Sequence, residues 1–235
     1  MARQQNIKFV GSKGNLIFYK RQGGYYIRTK PAVVKQSRAT RNCANNFGKA
    51  SRLAKTIRLC AMPLLPLQPN RVLINRLNKA VYACLCKKDL TTAEALLFIE
   101  GFEFNEKSKL TERFKINAPA PVVNSKGVTV QLPAFTAKQQ IAAPAYTQKI
   151  TVKITAASIN FKNPAVSSSN HVELTINYNN TITATQEIQI PLITGKGFLL
   201  LLIMALEYET AKNKISKTVT DLRWMPAGVI HAVIV

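Results

Sequence analysis

Lys196-Gly197-Phe198-Leu199-Leu200-Leu201-Leu202-Ile203-Met204-Ala205-Leu206-Glu207 contains the longest apolar run of the chain, Phe198 to Leu206, with a charge close to each end. A helix needs about 20 apolar residues to cross a bilayer. The run therefore reads as a buried strand. Around it, alternating or apolar runs at 128–132, 149–156, 172–178, 182–190, 198–208 and 229–235 are separated by clusters of Asn, Ser, Gly and Pro. Helical periodicity is absent from these runs, and the pattern is that of a small antiparallel sandwich. The last run, Val229 to Val235, reads as a paired strand rather than a tail.

Ala118-Pro119-Ala120-Pro121-Val122 reads as a linker or a sharp change of direction, and the chain before it has another character. Residues 16–29 alternate around Gly23-Gly24, which predicts strands near Leu16–Lys20 and Tyr25–Thr29 joined by a two-residue turn. Pro31 to Arg38 has no helical period and reads as extended. From Thr40 to about Ala61, Phe47, Ala50, Ala54, Ile57 and Ala61 recur every three or four residues, while Lys49, Arg52, Lys55 and Arg58 spread over the opposite side. That spacing predicts a basic amphipathic helix. Pro63 and Pro66 end it, and Pro69 opens a second helix to about Lys88. Thr91-Thr92-Ala93-Glu94 has the spacing of a capping box for a short third helix, which Gly101 stops. Two short strands are expected near Phe102–Phe104 and Thr111–Ile116. The predicted fold is α+β, with a basic hairpin and helices over residues 1–117 followed by a mainly antiparallel β-sandwich domain over 118–235.

Charge divides the chain just as unevenly. Of its 33 Lys and Arg, 19 lie in residues 1–88, which hold none of the 11 acids; the first carboxylate is Asp89. The net charge of +22 thus belongs almost wholly to the first half, and such a field concentrates polyanions without saying anything about fold. With 47% hydrophobic and 19% charged residues the composition is that of a folded chain. The start Met-Ala-Arg-Gln-Gln-Asn has no apolar segment of a secretory signal, so a reducing cytoplasmic setting is the default. Cys43, Cys60, Cys84 and Cys86 show no C-x2-C pairing and read as buried free thiols.

Motifs for chemistry are missing. Gly11-Ser12-Lys13-Gly14 and Gly195-Lys196-Gly197 do not fit G-x-x-x-x-G-K-[ST] and lie in no βαβ setting, so hairpin and loop turns account for them. His171 and His231 have no acid or cysteine pair near them in sequence, which leaves a zinc site or a serine-type triad without its parts. Glu100, Glu103 and Glu106 read as a solvated face near a helix end. No catalytic residue, metal or cofactor is expected.

What does carry content is the conjunction of cations with aromatics. Phosphate contacts are expected from Lys20, Arg21, Arg28, Lys30, Arg41, Lys49, Arg52, Lys55 and Arg58, and base stacking from Tyr19, Tyr25 and Tyr26. The alternative is that the tyrosines alternate in and out of a core with the cations lining its rim. No named nucleic-acid module is present, so recognition would be independent of sequence.

Met1 to Arg58 resembles the N-terminal region of a set of small, basic, uncharacterised proteins common in Bacteroidota. The shared outline is Met-Ala-Arg-Gln, Gly14-Asn15, Phe18-Tyr19-Lys20, Gly24-Tyr25, Arg28 and Lys30, then Thr40-Arg41-Asn42, Asn46-Phe47-Gly48-Lys49-Ala50, Ala54-Lys55 and Ile57-Arg58. The glycine-rich step expected after Lys30 is here Pro31-Ala32-Val33. The resemblance implies homology and a non-enzymatic role, without supplying a function.

Two functions fit these readings. One is a structural or assembly protein, a homo-oligomer or larger assembly such as a shell, tube or phage-like particle, whose basic half contacts neighbouring subunits or a polyanion. The other is a sequence-independent nucleic-acid-binding accessory protein. Neither calls for a small-molecule substrate or a transmembrane segment, and both are placed in the cytoplasm or in a particle assembled there.

Overall fold

The computed structural model describes residues 2–4, 8–33, 35–65, 70–86, 96, 98–117, 121–124, 127–160, 163–212 and 215–235. The fold is α+β, and all sheets among the described residues are antiparallel. Contacts divide it into two compact units, Met1–Cys43 and Ala44–Val235. Residues 118–120 of the linker read at 118–122, the whole capping box at 91–94, and Pro66 and Pro69 lie outside the described residues.

The first unit is a four-stranded sheet in the order β1-β4-β3-β2, built from β1 (Ala2–Arg3), β2 (Gly11–Lys13), β3 (Leu16–Arg21) and β4 (Gly24–Thr29). The predicted hairpin forms, but its turn is shifted by one residue. Gln22 and Gly23 take the positive φ values, 46° and 77°, while Gly24 already pairs with Arg21 inside the ladder. A Cβ on Gly24 would come within 2.7 Å of the outer atoms of the Tyr26 ring, which lies against it, and Gly24 does not take a positive φ in the turn. Gln4 ties the 8–10 segment down: its Oε1 accepts from the Phe9 amide at 2.7 Å, and its Nε2 donates to the Tyr26 carbonyl at 3.1 Å.

In the second unit, β12 (Phe198–Lys212) is the central strand. It pairs along one edge with β8 (Thr147–Asn160), and β9 (Ser167–Asn177) follows β8. The other edge of β12 is shared: β14 (Ala227–Ile234) covers Leu199–Ala205 and β13 (Ile215–Thr218) covers Glu209–Lys212. A smaller sheet joins β5 (Val122–Asn124), β6 (Gly127–Leu132) and β11 (Gln186–Pro191), and β7 (Phe135–Thr136) pairs with β10 (Ile182–Thr183).

The packing explains the apolar run. Side chains alternate across a strand, so Leu199, Leu201, Ile203 and Ala205 join a buried cluster with Ala50, Leu53, Ala54, Ile57, Leu77 and Val81. Leu200, Leu202, Met204, Leu206 and Tyr208 join another with Val128, Val130, Leu132, Ile188 and Ile190. Both faces of β12 are covered, one by helices and one by the smaller sheet. A strand in that position reads as continuous rather than alternating, and each of its large aliphatics contributes about 1.5–3 kcal/mol of burial. These clusters draw on residues from both sides of the 117/118 boundary read from sequence.

The helical layer is α1 (Arg38–Ala61), a 3-10 turn at Met62–Leu64, and α2 (Arg71–Cys86). The buried arc of α1 is Ala50, Leu53, Ala54, Ile57, Cys60 and Ala61. Phe47, expected on it, is 55% exposed, with its ring 6.4 Å from that of Tyr82 and tilted by 52°. Leu53 and Cys60 take its place, because the covered part of the helix begins a turn later. The strand expected at Thr111–Ile116 is instead a single helical turn, Leu110–Arg113, followed by a bridge from Phe114 to Ile141. The Phe102–Phe104 strand reduces to one bridge, Glu103 to Gly228. No helix among the described residues is long and apolar enough to cross a membrane.

Of the four thiols expected to be buried, Cys60 and Cys84 are buried, Cys86 is partly covered and Cys43 is exposed. Burial raises the Cys84 thiol to about 11 and raises Cys60 as well, against a hydrogen bond from Ser169. A thiolate-selective reagent at neutral pH should therefore label Cys43 promptly in the native protein and reach Cys60 and Cys84 only on denaturation. Prompt native labelling of Cys84, read by peptide mass, would show that the helical layer opens readily.

Candidate polyanion-binding surfaces

The cations predicted to meet phosphates fall on two surfaces. In the first unit, Lys20, Arg21, Arg28 and Lys30 are all exposed on or next to the sheet. The register splits the tyrosines. Tyr19 faces Tyr26 across β3 and β4, with ring centroids 5.8 Å apart and planes 29° from parallel, and the Arg28 guanidinium lies 5.7 Å from the Tyr19 ring. Tyr25, next to Tyr26, points to the other face, where Lys8 and Lys20 hold their ammonium groups 5.5 and 5.7 Å from its ring. The three rings therefore do not share one platform. Each face carries its own mixture of ring and cation.

Arg41 is exposed in the first turns of α1. Further along the helix, Lys49, Arg52 and Lys55 are exposed at i, i+3 and i+6, on the side away from the buried arc. They line a groove of about 730 Å³ between α1 and the turn at 163–165, together with Asn46, Asn163 and Leu59 among others. The turn is held to the helix by Thr56, whose hydroxyl donates to the Pro164 carbonyl at 3.1 Å. Asn163 braces the turn itself: its amide donates to Asn160 Oδ1 at 3.0 Å and its carbonyl accepts from Val166 at 2.9 Å. No acid lines the groove among the described residues, and none of its three cations joins an ion pair there. Three like charges in a concavity raise the local concentration of anions more than the same charges on a flat face.

Arg58 departs from this set. It is half-buried, burial lowers its pKa, and one guanidinium nitrogen is buried without a hydrogen-bond partner. At 100° per residue it lies half a turn round from Lys49, at the flank of the packed face.

The acids have structural work that spacing could not reveal. Glu103 accepts from the amides of Leu110 and Thr111 at 2.8 and 3.1 Å and so caps the helical turn that replaces the expected strand. Glu100 accepts from the Ala232 amide at 3.1 Å, and His231 Nδ1 lies 3.6 Å from the same carboxylate oxygen. Glu106 pairs with Arg76 at 2.9 Å. These glutamates are thus engaged with backbone and side chains instead of forming a merely solvated face. The groove and the carboxylates that satisfy the backbone were missed by the sequence reading, and only the bare spacing of Lys49, Arg52 and Lys55 signalled the former. Among the described residues no cluster of His, Cys, Asp and Glu is arranged to hold a metal ion. No protein-family model matches the chain, and neither the curated proteins nor the solved structures contain a match.

Proposed function

We propose that the protein is a non-enzymatic structural component that assembles with copies of itself, and that its basic N-terminal half contacts neighbouring subunits or a polyanion. The observation that supports this reading is the state of the sheet over residues 2–29. Among its described residues Phe9, Val10 and Leu16 are exposed, and Tyr19, Tyr25 and Tyr26 are only half-buried. A sheet this small depends for its stability on covering its apolar face. A second copy could cover the rings and extend the ladder at β2, beyond which no strand pairs among the described residues. The same proposal takes the two sheets around the second cluster as a β-sandwich body. It also places the chain with the basic Bacteroidota proteins and in a cytoplasmic particle.

Light scattering of nuclease-treated protein tests it, comparing the full chain with one lacking residues 1–38 at low and high salt. The full chain should scatter as a multiple of 26.0 kDa under both conditions, and the shortened chain as a monomer. Monomers throughout would overturn the assembly reading. The second reading, a sequence-independent nucleic-acid-binding accessory protein, is favoured by one observation of its own, the basic groove beside α1, which no acid lines among the described residues.

A further inference from the structure

We propose that the groove between α1 and the 163–165 turn holds the backbone of single-stranded nucleic acid, with Lys49, Arg52 and Lys55 as its phosphate contacts. This inference rests on the nucleic-acid-binding reading and gives it a site. It does not require assembly.

Three features select the ligand. The cations form a row: from residue 49 to residue 55 the helix rises about 9 Å. A row of that length suits a linear polyanion, with more than one phosphate in reach, better than a single free phosphate. Next, the groove mixes charge with apolar surface, because Leu59, Leu85 and Pro164 line it beside the lysines. A duplex turns its bases inward and presents phosphates on a convex cylinder, whereas an open strand offers sugars and base faces that can cover those apolar atoms. Finally, the cations are already disposed for a ligand. Lys49, Arg52 and Lys55 project from one continuous helix whose opposite face is packed, and the opposing wall is pinned by the Thr56 to Pro164 hydrogen bond. Little ordering is then left to oppose binding.

The test uses the nuclease-treated full chain and a fluorescein-labelled oligothymidylate, with anisotropy titrations from about 50 to 200 mM salt. The K49Q/R52Q/K55Q variant is compared with K138Q/K196Q/K217Q, which removes the same charge from exposed lysines outside the groove. All six side chains are exposed, so both variants should keep the native melting curve. The groove variant should bind on the order of tenfold or more weakly at the lowest salt, and its log K against log salt slope should fall by about 2 units, at about 0.7 per phosphate for a single strand. The control should stay near the unmodified protein, and inorganic phosphate at matched ionic strength should not displace the oligonucleotide. If groove and control variants lose affinity equally, the groove is not the site although the protein binds nucleic acid. Displacement by inorganic phosphate at matched ionic strength would overturn the strand in favour of a free anion. If the unmodified protein shows no salt-dependent binding, the nucleic-acid-binding reading fails with the inference.

Discussion

Leu201→Ala and Leu202→Ala are each expected to lower stability by about 2–5 kcal/mol, although the two residues are neighbours on one strand and point in opposite directions. Leu201 is fully buried in the cluster with α1 and α2, and Leu202 in the cluster with β6 and β11. Truncation of either leaves a cavity among different partners. If β12 had one open face, as an ordinary half-buried antiparallel strand does, one of the two would change stability by less than about 0.5 kcal/mol. Ile193→Ala supplies that reference, since Ile193 is 81% exposed in the connection before β12. Urea unfolding followed by tryptophan fluorescence measures all three, because Trp224 stands edge-on to the buried Tyr208 ring at 6.2 Å. A near-neutral Leu201→Ala would show that the helices do not close over the sheet.

Gly127→Ala should be as damaging, and for a reason that lies in the backbone. Gly127 has φ of 144° and pairs with Pro191 at the end of the β6–β11 ladder. An added Cβ would stand 2.2 Å from the Ile190 carbonyl oxygen, 2.8 Å from the Leu192 nitrogen and 2.9 Å from the Pro191 Cα. All three are backbone atoms, so no side chain can swing aside. Relief requires moving β11 off β6, and Ile188 and Ile190 of β11 are part of the second cluster. A loss of roughly 3 kcal/mol or more is expected, by analogy with overpacked cores and strained backbone combined. Gly23→Ala is the informative comparison. It too has positive φ, 77°, but nothing lies within 4 Å of the added atom. The cost there is the left-handed penalty alone, about 1–2 kcal/mol, and it falls on the small sheet of the first unit. Thermal melts in which Gly127→Ala is no worse than Gly23→Ala would mean that β11 is free to shift.

Local signals carried a good part of the fold. Alternation with aromatic and β-branched residues located β3 and β4, the three-to-four spacing located α1 and α2, and the apolar run located β12. Each of these depends on side chains a few residues apart, which is the range over which a strand or helix repeats. Errors arose where a distant partner decided. Thr111–Ile116 reads as a strand until the Glu103 carboxylate caps Leu110 and Thr111, and Phe47 reads as core until one knows where the sheet begins to cover α1. Gly23-Gly24 marked a turn correctly to within one residue, but it is Gln22 and Gly23 that take the positive φ values while Gly24 pairs inside the ladder.

The candidate site divides in the same way. Sequence alone determined that the positive charge is concentrated before Asp89 and that Lys49, Arg52 and Lys55 share one side of a helix, because composition and helical pitch are properties of the chain itself. Tertiary structure decided the rest. It put the 163–165 turn, more than a hundred residues away, against that side of the helix to make a groove, drew Arg58 toward the packed face and out of the set, and set Tyr19 opposite Tyr26 across β3 and β4. The physical reason is that a concavity, a burial penalty and a strand register are relations between segments, set by which surfaces exclude water together, and such relations leave no local trace in residue order.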